Sequence, residues 1–194
     1  MSYDLIFLLE EPSMKNVLEV ILPKIIPEQL TYICIAHQGK QDLANSIPKK
    51  IKAFQYAPQT KFIIVHDQDS HDCRTLKKEL FEVCQQSGKS DVLIRIICHE
   101  LESWFLGDLA ALEKAYNRPP QSLSKKQAEK KFRNPDQLNS AKQELKKLVK
   151  DYYPGTHSKA IAPYLSLTQN TSRSFQIFLD GIKKLTTNDL EGAD

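Results

Sequence analysis

The chain has 194 residues, 41% of them hydrophobic and 26% charged, with a formal net charge of +3. That describes an ordinary globular protein, long enough for one domain with a real core or one domain plus an appendage. No apolar run approaches the roughly 18 residues of a membrane span, and MSYDLIFLLEEPS lacks the basic flank and small-residue cleavage site of a secretory signal, so a cytoplasmic protein is expected.

DLIFLLEE, from Asp4 to Glu11, reads as a first buried strand. Pro12-Ser13 punctuates, with Ser13 a plausible helix cap, and Met14, Val17, Leu18, Ile21 and Leu22 follow at helical spacing until Pro23. TYICIA is a second strand. Leu43, Ile47, Ile51 and Phe54 mark a helical segment expected to be interrupted at Pro48. KFIIVHD is the third strand, followed by a helix on Leu76, Leu80, Val83 and Cys84, with Asp72 as its cap. VLIRIIC is the fourth, leading into ESWFLGDLAALEKAY as one further helix, with Trp104 in the core and Asp108 structural. Strands alternating with helices make an α/β protein with a mostly parallel four-stranded sheet and helices on both faces, over residues 3–116.

Beyond Tyr116 the texture changes, and residues 117–194 read as a basic, mainly helical C-terminal extension packed on the sheet domain. KKQAEKKFRNPDQLNSAKQELKKLVK reads as short polar helices broken at Asn134-Pro135. DYYPGTHSKAIAPYLSLTQN reads as loop-rich with a turn at Pro154-Gly155, and NTSRSFQIFLDGIKKL as a last helix capped by Thr171 or Ser172. Residues 1–117 carry 13 Lys+Arg against 16 Asp+Glu, and residues 118–159 carry 11 against 4, which suggests a partner with negative charge. Cys34, Cys73, Cys84 and Cys98 form no CxxC pair and read as buried free thiols in a reducing compartment.

The chemistry-bearing residues are acids. Glu10 and Glu11 end the first strand, Asp67 and Asp69 the third, and Glu100 and Glu102 follow the fourth. Ligands of open parallel sheets bind outside the carboxyl ends of the strands, so this fold can gather all three groups. If the extended backbone persists, Asp67 and Asp69 share one side. Carboxylates without a Cys/His set suit a hard cation such as Mg2+ or Mn2+. The plainer alternative is that acids after strands cap helices; His66, His71 and His99 read as local hydrogen-bonding residues. The stretch is not an EF-hand loop, and no Gly-rich phosphate loop, HExxH or GxSxG is present. A DxD after a strand also suits phosphohydrolases with a carboxylate nucleophile, though the acids after strands one and four then lack a role.

A Glu ending the first strand, a DxD ending the third and the alternating order resemble the Toprim domain of topoisomerases, primases and OLD-type nucleases. LLEEPSM, HDQDSHDC, ELESWFLGD and NTSRSF resemble, more narrowly, an uncharacterised bacterial Toprim-like family known as a domain of unknown function. The resemblance implies metal-dependent phosphodiester cleavage of DNA or RNA, with Glu10, Asp67, Asp69 and Glu102 as catalytic and metal-binding acids. It also implies a role in anti-phage defence beside a separately encoded ABC- or AAA-type ATPase. Many Toprim proteins have Gly after the first Glu, where this chain has Glu11. Lys125, Lys126, Lys130, Lys131 and Arg133, with His157 and Lys159, are the candidates to track a phosphate backbone. The competing class is a non-catalytic module that binds a partner ATPase or nucleic acid. Monomer and homo-oligomer are both open.

Overall fold

The computed structural model describes residues 3–191, with side chains through residue 187; the end of the expected extension, residues 192–194, lies outside the described residues. Four strands, β1 (Leu5–Leu9), β2 (Tyr32–Ala36), β3 (Lys61–Asp67) and β4 (Val92–Ile97), form one parallel sheet in the order β2-β1-β3-β4. The inner strands read as unbroken apolar runs because helices cover both their faces; the outer two are only partly buried.

Helices α1 (Pro12–Ile21), α2 (Lys40–Ala53) and α3 (Cys73–Gln86) connect the strands. Leu43, Ile47 and Ile51 of α2 and Leu76, Leu80 and Cys84 of α3 bury against Ile6, Leu8, Phe62, Ile64 and Ile94 on one face. On the other face α1 packs Met14, Val17, Leu18 and Ile21 against Leu5, Phe7, Leu9, Ile63 and Val65. That second core continues without a break into the C-terminal part of the chain, through Phe132, Leu145, Ile161, Phe175, Phe178 and Ile182. Among the described residues no helix is long and apolar enough to cross a membrane.

Several local expectations need correction. Pro48 does not interrupt α2: its missing N–H costs one bond, but Leu43, Ile47 and Ile51 are buried on both sides of it and clamp both halves to the sheet. Ser13 lies inside α1, whose N-cap position is Glu11; the Ser13 hydroxyl donates to the Glu11 carboxylate instead. The helix expected after β4 splits into α4 (Glu102–Leu106) and α5 (Leu109–Ala115) because Asp108 caps α5, accepting from the Ala111 N–H at 3.0 Å. A Cβ on the intervening Gly107 would fall 2.1 Å from Asn170 Oδ1, so the break is also where the end of the chain docks. Pro154-Gly155 is not a turn but the first turn of a helix, where proline's missing N–H is no loss. Cys73 is exposed and Cys98 half-buried; only Cys34 and Cys84 are buried, and burial pushes their thiols up to about 12 and about 11.

The basic segment is, as read, a set of short pieces: a 3-10 turn (Ser124–Ala128), α6 (Lys130–Arg133), a second 3-10 turn at Pro135 and α7 (Ala141–Leu148). Helices α8 (Pro154–Ile161) and α9 (Arg173–Glu191) complete the chain. Ser172 caps α9, its hydroxyl accepting from the Phe175 N–H at 3.2 Å, and Asp72 caps α3 through the Thr75 N–H at 2.8 Å.

Candidate acidic site at the carboxyl edge

The chain leaves β1 toward β2 on one side while β3 lies on the other, so the order reverses between β1 and β3. Open α/β sheets bind their ligands in the crevice outside such a point. Glu10 and Asp67 are the residues that follow or end these two strands. The Glu10 carboxylate accepts from the Asp67 backbone N–H at 2.9 Å and lies 2.9 Å from His66 Nδ1. Gly39, at φ +98, donates its N–H to the Glu10 carbonyl and wraps the β2–α2 loop around the same point.

Asp67 is buried, and its Oδ1 finds no hydrogen-bond partner among the described residues. Burial, reinforced by Glu10, Glu11, Glu102 and Asp69, raises its pKa well above the usual carboxylate range. The charges of Glu10, Glu11, Glu102 and Asp69 thus all reach Asp67 at the carboxyl edge. Asp69 departs from the expected geometry. Its φ is +51, so the extended backbone ends at Gln68, and Asp69 is exposed where Asp67 is buried, although its charge still helps raise the Asp67 pKa. Its N–H bonds the His99 carbonyl at 2.8 Å, and His99, also left-handed at φ +58, makes the matching turn after β4. Between these turns lies a cleft of about 560 Å3 walled by Gln68, Asp69, Ser70, His71, His99 and Glu100.

Glu102 is 2% exposed, and burial raises its pKa despite Lys142, whose Nζ lies 3.7 Å from it and equally far from Glu100. The Lys142 backbone N–H donates to Glu100 at 2.9 Å, pinning the start of α7 to the site. The Tyr152 phenol is buried beside Glu102, which pushes its pKa upward together with burial. Glu11, where many Toprim proteins have glycine, is at φ −144 and ψ 161; this extended backbone needs no glycine.

The positive charge that offsets these acids comes in part from the protein: His66 at Glu10, Lys40 3.8 Å from Asp69, and Lys142 at Glu100 and Glu102. The sequence reading takes His66 as a local hydrogen-bonding residue and Lys142 as one lysine of the basic segment that could track a phosphate backbone, and does not single out Lys40. What sets Lys142 apart is its position beside the acids that follow β4. Among the described residues no three His, Cys, Asp or Glu side chains are grouped as a ready-made metal set. The donors fit a hard cation nonetheless, because an unpartnered buried carboxylate oxygen with a raised pKa lacks a positive partner.

Of the residues expected to follow a phosphate backbone, Lys125, Lys130, Lys131, Arg133 and Lys159 are exposed and Lys126 is half-buried. Lys131 pairs with Glu144 at 3.1 Å and sits over the Phe132 ring. His157 faces inward: its Nδ1 accepts from the Tyr153 N–H at 2.6 Å and its ring stacks on Tyr152 at 5.3 Å.

The His66–Glu10 contact gives a pH signature. Burial pulls the His66 pKa down, but the Glu10 carboxylate more than reverses this; burial alone would raise Glu10, and His66 brings it below 4.5. The histidine's contribution is complete below its unfolded value near 6.5 and is lost as pH rises through the higher folded value. The glutamate's is present above 4.5 and lost as pH falls through its lower folded value. The pair therefore stabilises most between about pH 4.5 and 6.5. His66→Gln should flatten the fall in stability above that window, as read by urea unfolding at pH 6 and pH 8.

In comparisons with known proteins, the chain is similar in structure to the C-terminal region of the Burkholderia pseudomallei OLD protein, with TM-score 0.56 at 14% identity, covering 96% of this chain and 100% of that one. The C-terminal region of the Xanthomonas campestris pv. campestris OLD protein gives TM-score 0.53 at 14% identity, covering 97% and 98%. No curated protein matches the chain in sequence. The fold is thus the Toprim-like α/β fold of those regions, as expected from the alternation of strands with helices and from the acids. A family profile described as "Domain of unknown function (DUF4276)" matches residues 9–183. An acidic edge built from Glu10 onward and a core running unbroken to Ile182 occupy the same span, and the chain belongs to the DUF4276 family.

Proposed function

We propose that this protein is a Toprim-type phosphodiesterase that cleaves DNA or RNA with Mg2+ or Mn2+, in the cytoplasm and beside a separately encoded ATPase of a defence system. The observation that carries the reading is Asp67 Oδ1: buried, unpartnered among the described residues and raised in pKa among four other acids at the switch point of the sheet. Glu10, Asp67, Asp69 and Glu102 would hold the cation, which when bound would polarise a phosphate and acidify a water. His66 orients Glu10 and the Asp67 N–H fixes its second contact. Glu102, kept basic enough by burial to take up a proton, is placed to act as general base, with Lys142 holding it in place. The cleft between the Asp69 and His99 turns would receive the scissile phosphate.

The test is a nuclease screen on plasmid, single-stranded DNA and tRNA across a Mg2+ and Mn2+ titration, with and without the neighbouring ATPase. Metal-dependent cleavage supports the reading, and its absence under every condition overturns it. The second reading is a non-catalytic Toprim-like module, favoured by the lack of a ready-made ligand trio among the described residues. It predicts nucleic-acid or ATPase binding without turnover.

If nucleic acid is the substrate, replacing Lys125, Lys126, Lys130 and Arg133 by Gln should weaken binding and flatten its salt dependence, by about 0.7–0.9 in slope for each phosphate no longer neutralised. Lys131→Gln should matter less, since Glu144 already occupies it. Filter binding between low and moderate salt checks both.

A further inference from the structure

The far side of β4 is a free sheet edge at the bottom of a groove. Ile97 turns its carbonyl to β3, where it accepts from the Gln68 N–H at 2.9 Å. Backbone groups alternate sides along a parallel strand, so Val92, Ile94 and Ile96 turn theirs outward. Among the described residues the only hydrogen bond on that side comes from the Arg95 guanidinium to the Ile94 carbonyl, at 3.1 Å. Natural sheets cover or block such edges; this one is flanked by α3 and α9 but left open between them.

The opening is a groove of about 450 Å3 that continues into a second of about 370 Å3 through Arg74, Lys77, Ile94 and Arg95. Its walls are basic: Arg74, Lys77 and Lys78 from α3 and Arg173 from α9 are exposed along it. The one acid in the larger groove, Asp136, is already taken up by the Ser172 hydroxyl at 2.7 Å and the Ser174 N–H at 2.6 Å. Arg95 lies flat on α9, where a Cβ on Gly181 would come 2.1 Å from its Nη2. Its Nε is buried without a hydrogen-bond partner among the described residues. The groove also holds apolar surface at Ile96, at Ile177, 42% exposed, and at Phe81, 37% exposed.

We propose that this groove binds an extended acidic segment of a partner protein, which adds as a fifth strand on β4 and sets its carboxylates against Arg74 and Lys77 of α3. The backbone edge accounts for a strand, the basic walls for its charge, and the apolar side chains for small hydrophobic residues on alternate positions. A second copy of the chain would bring one set of basic walls against another. A nucleic-acid strand would set phosphates against the outward carbonyls of Val92 and Ile96 and against exposed isoleucine. The site is remote in role from the acidic edge and independent of the phosphodiesterase reading.

The test uses fluorescein-labelled peptides of about ten residues, long enough to span β4, alternating Glu with Val, against Lys-for-Glu counterparts and a single-stranded DNA oligonucleotide. Fluorescence anisotropy should show the acidic peptide binding at least about tenfold more tightly than the basic one. Arg74→Glu with Lys77→Glu should abolish that preference. Ile96→Pro removes an outward N–H without touching the β3 ladder and should weaken binding about tenfold. Should that variant fold poorly, the same contact is read on the unaltered protein with peptides N-methylated on alternate residues: one pattern should abolish binding and the other leave it intact. Failure of the acidic peptide to bind, indifference to both methylation patterns, tighter binding by the oligonucleotide at this groove, or dimerisation of the chain through β4 would each overturn the proposal.

Discussion

Asp67→Ala should abolish metal-dependent cleavage, because it removes the buried carboxylate on which the candidate site converges. Loss of a metal-holding acid is expected to cost turnover rather than affinity, so nucleic-acid binding should persist. Asp67→Asn adds a thermodynamic readout. In the unfolded chain this carboxyl loses its proton near pH 3.8, whereas burial and the neighbouring acids keep it protonated to higher pH in the folded chain. Stability therefore falls as pH rises above 3.8 toward the folded value, and Asn escapes that fall. At neutral pH without metal the variant should melt a few degrees higher than wild type, about 2–4 °C for each kcal/mol in a chain of this size. Wild type should gain stability on adding Mg2+ and the variant should not. A helix cap would behave oppositely, losing about 0.5–2 kcal/mol on substitution. Thermal melts at two pH values, with and without Mg2+, separate the two.

Trp104→Ala should be the most damaging single substitution for stability. The indole is fully buried, packed on Phe175 at 4.9 Å and Phe178 at 5.3 Å, and its Nε1–H donates to the Ser174 hydroxyl at 3.1 Å. It joins the segment after β4 to α9. Truncating such a side chain costs about 3–5 kcal/mol through lost transfer energy and the cavity left behind. That is a large share of the roughly 5–15 kcal/mol that holds a domain folded. Trp104→Phe keeps the ring packing and isolates the hydrogen bond to Ser174, at about 1 kcal/mol. Urea unfolding measures both.

The strands were legible because a strand buried on both faces must be an unbroken apolar run, as LIFLL and FIIV are. Once four such runs alternate with helices, the carboxyl edge follows, and so do the acids that end it. Local rules mislead where packing overrides them. Pro48 sits within an apolar stripe that holds α2 together regardless, and the residue at the α4–α5 break is glycine because Asn170, far along the chain, occupies the space a side chain would need. The site's own cations were illegible for the same reason. Lys142 lies 40 residues beyond Glu102, and only the docking of α7 brings them together. Asp69 shows the limit of periodicity: alternation puts it on the side of Asp67 only while the backbone stays extended, and the backbone turns left-handed there.

The unbroken core also bears on how the chain is made. All four strands have been synthesised by Ile97, yet the aromatic residues of α9 that cover Trp104 begin only at Phe175. At about 5–20 residues per second the ribosome takes roughly 4–16 s to cover that interval. Over those seconds α1 alone covers that face of the sheet, without the C-terminal helices that extend its core, and Lys142 reaches the acids only partway through. Chaperones that hold apolar surface would meet this protein mainly while it is still attached to its message, and a premature stop before α9 would leave a product with Trp104 permanently uncovered by Phe175 and Phe178.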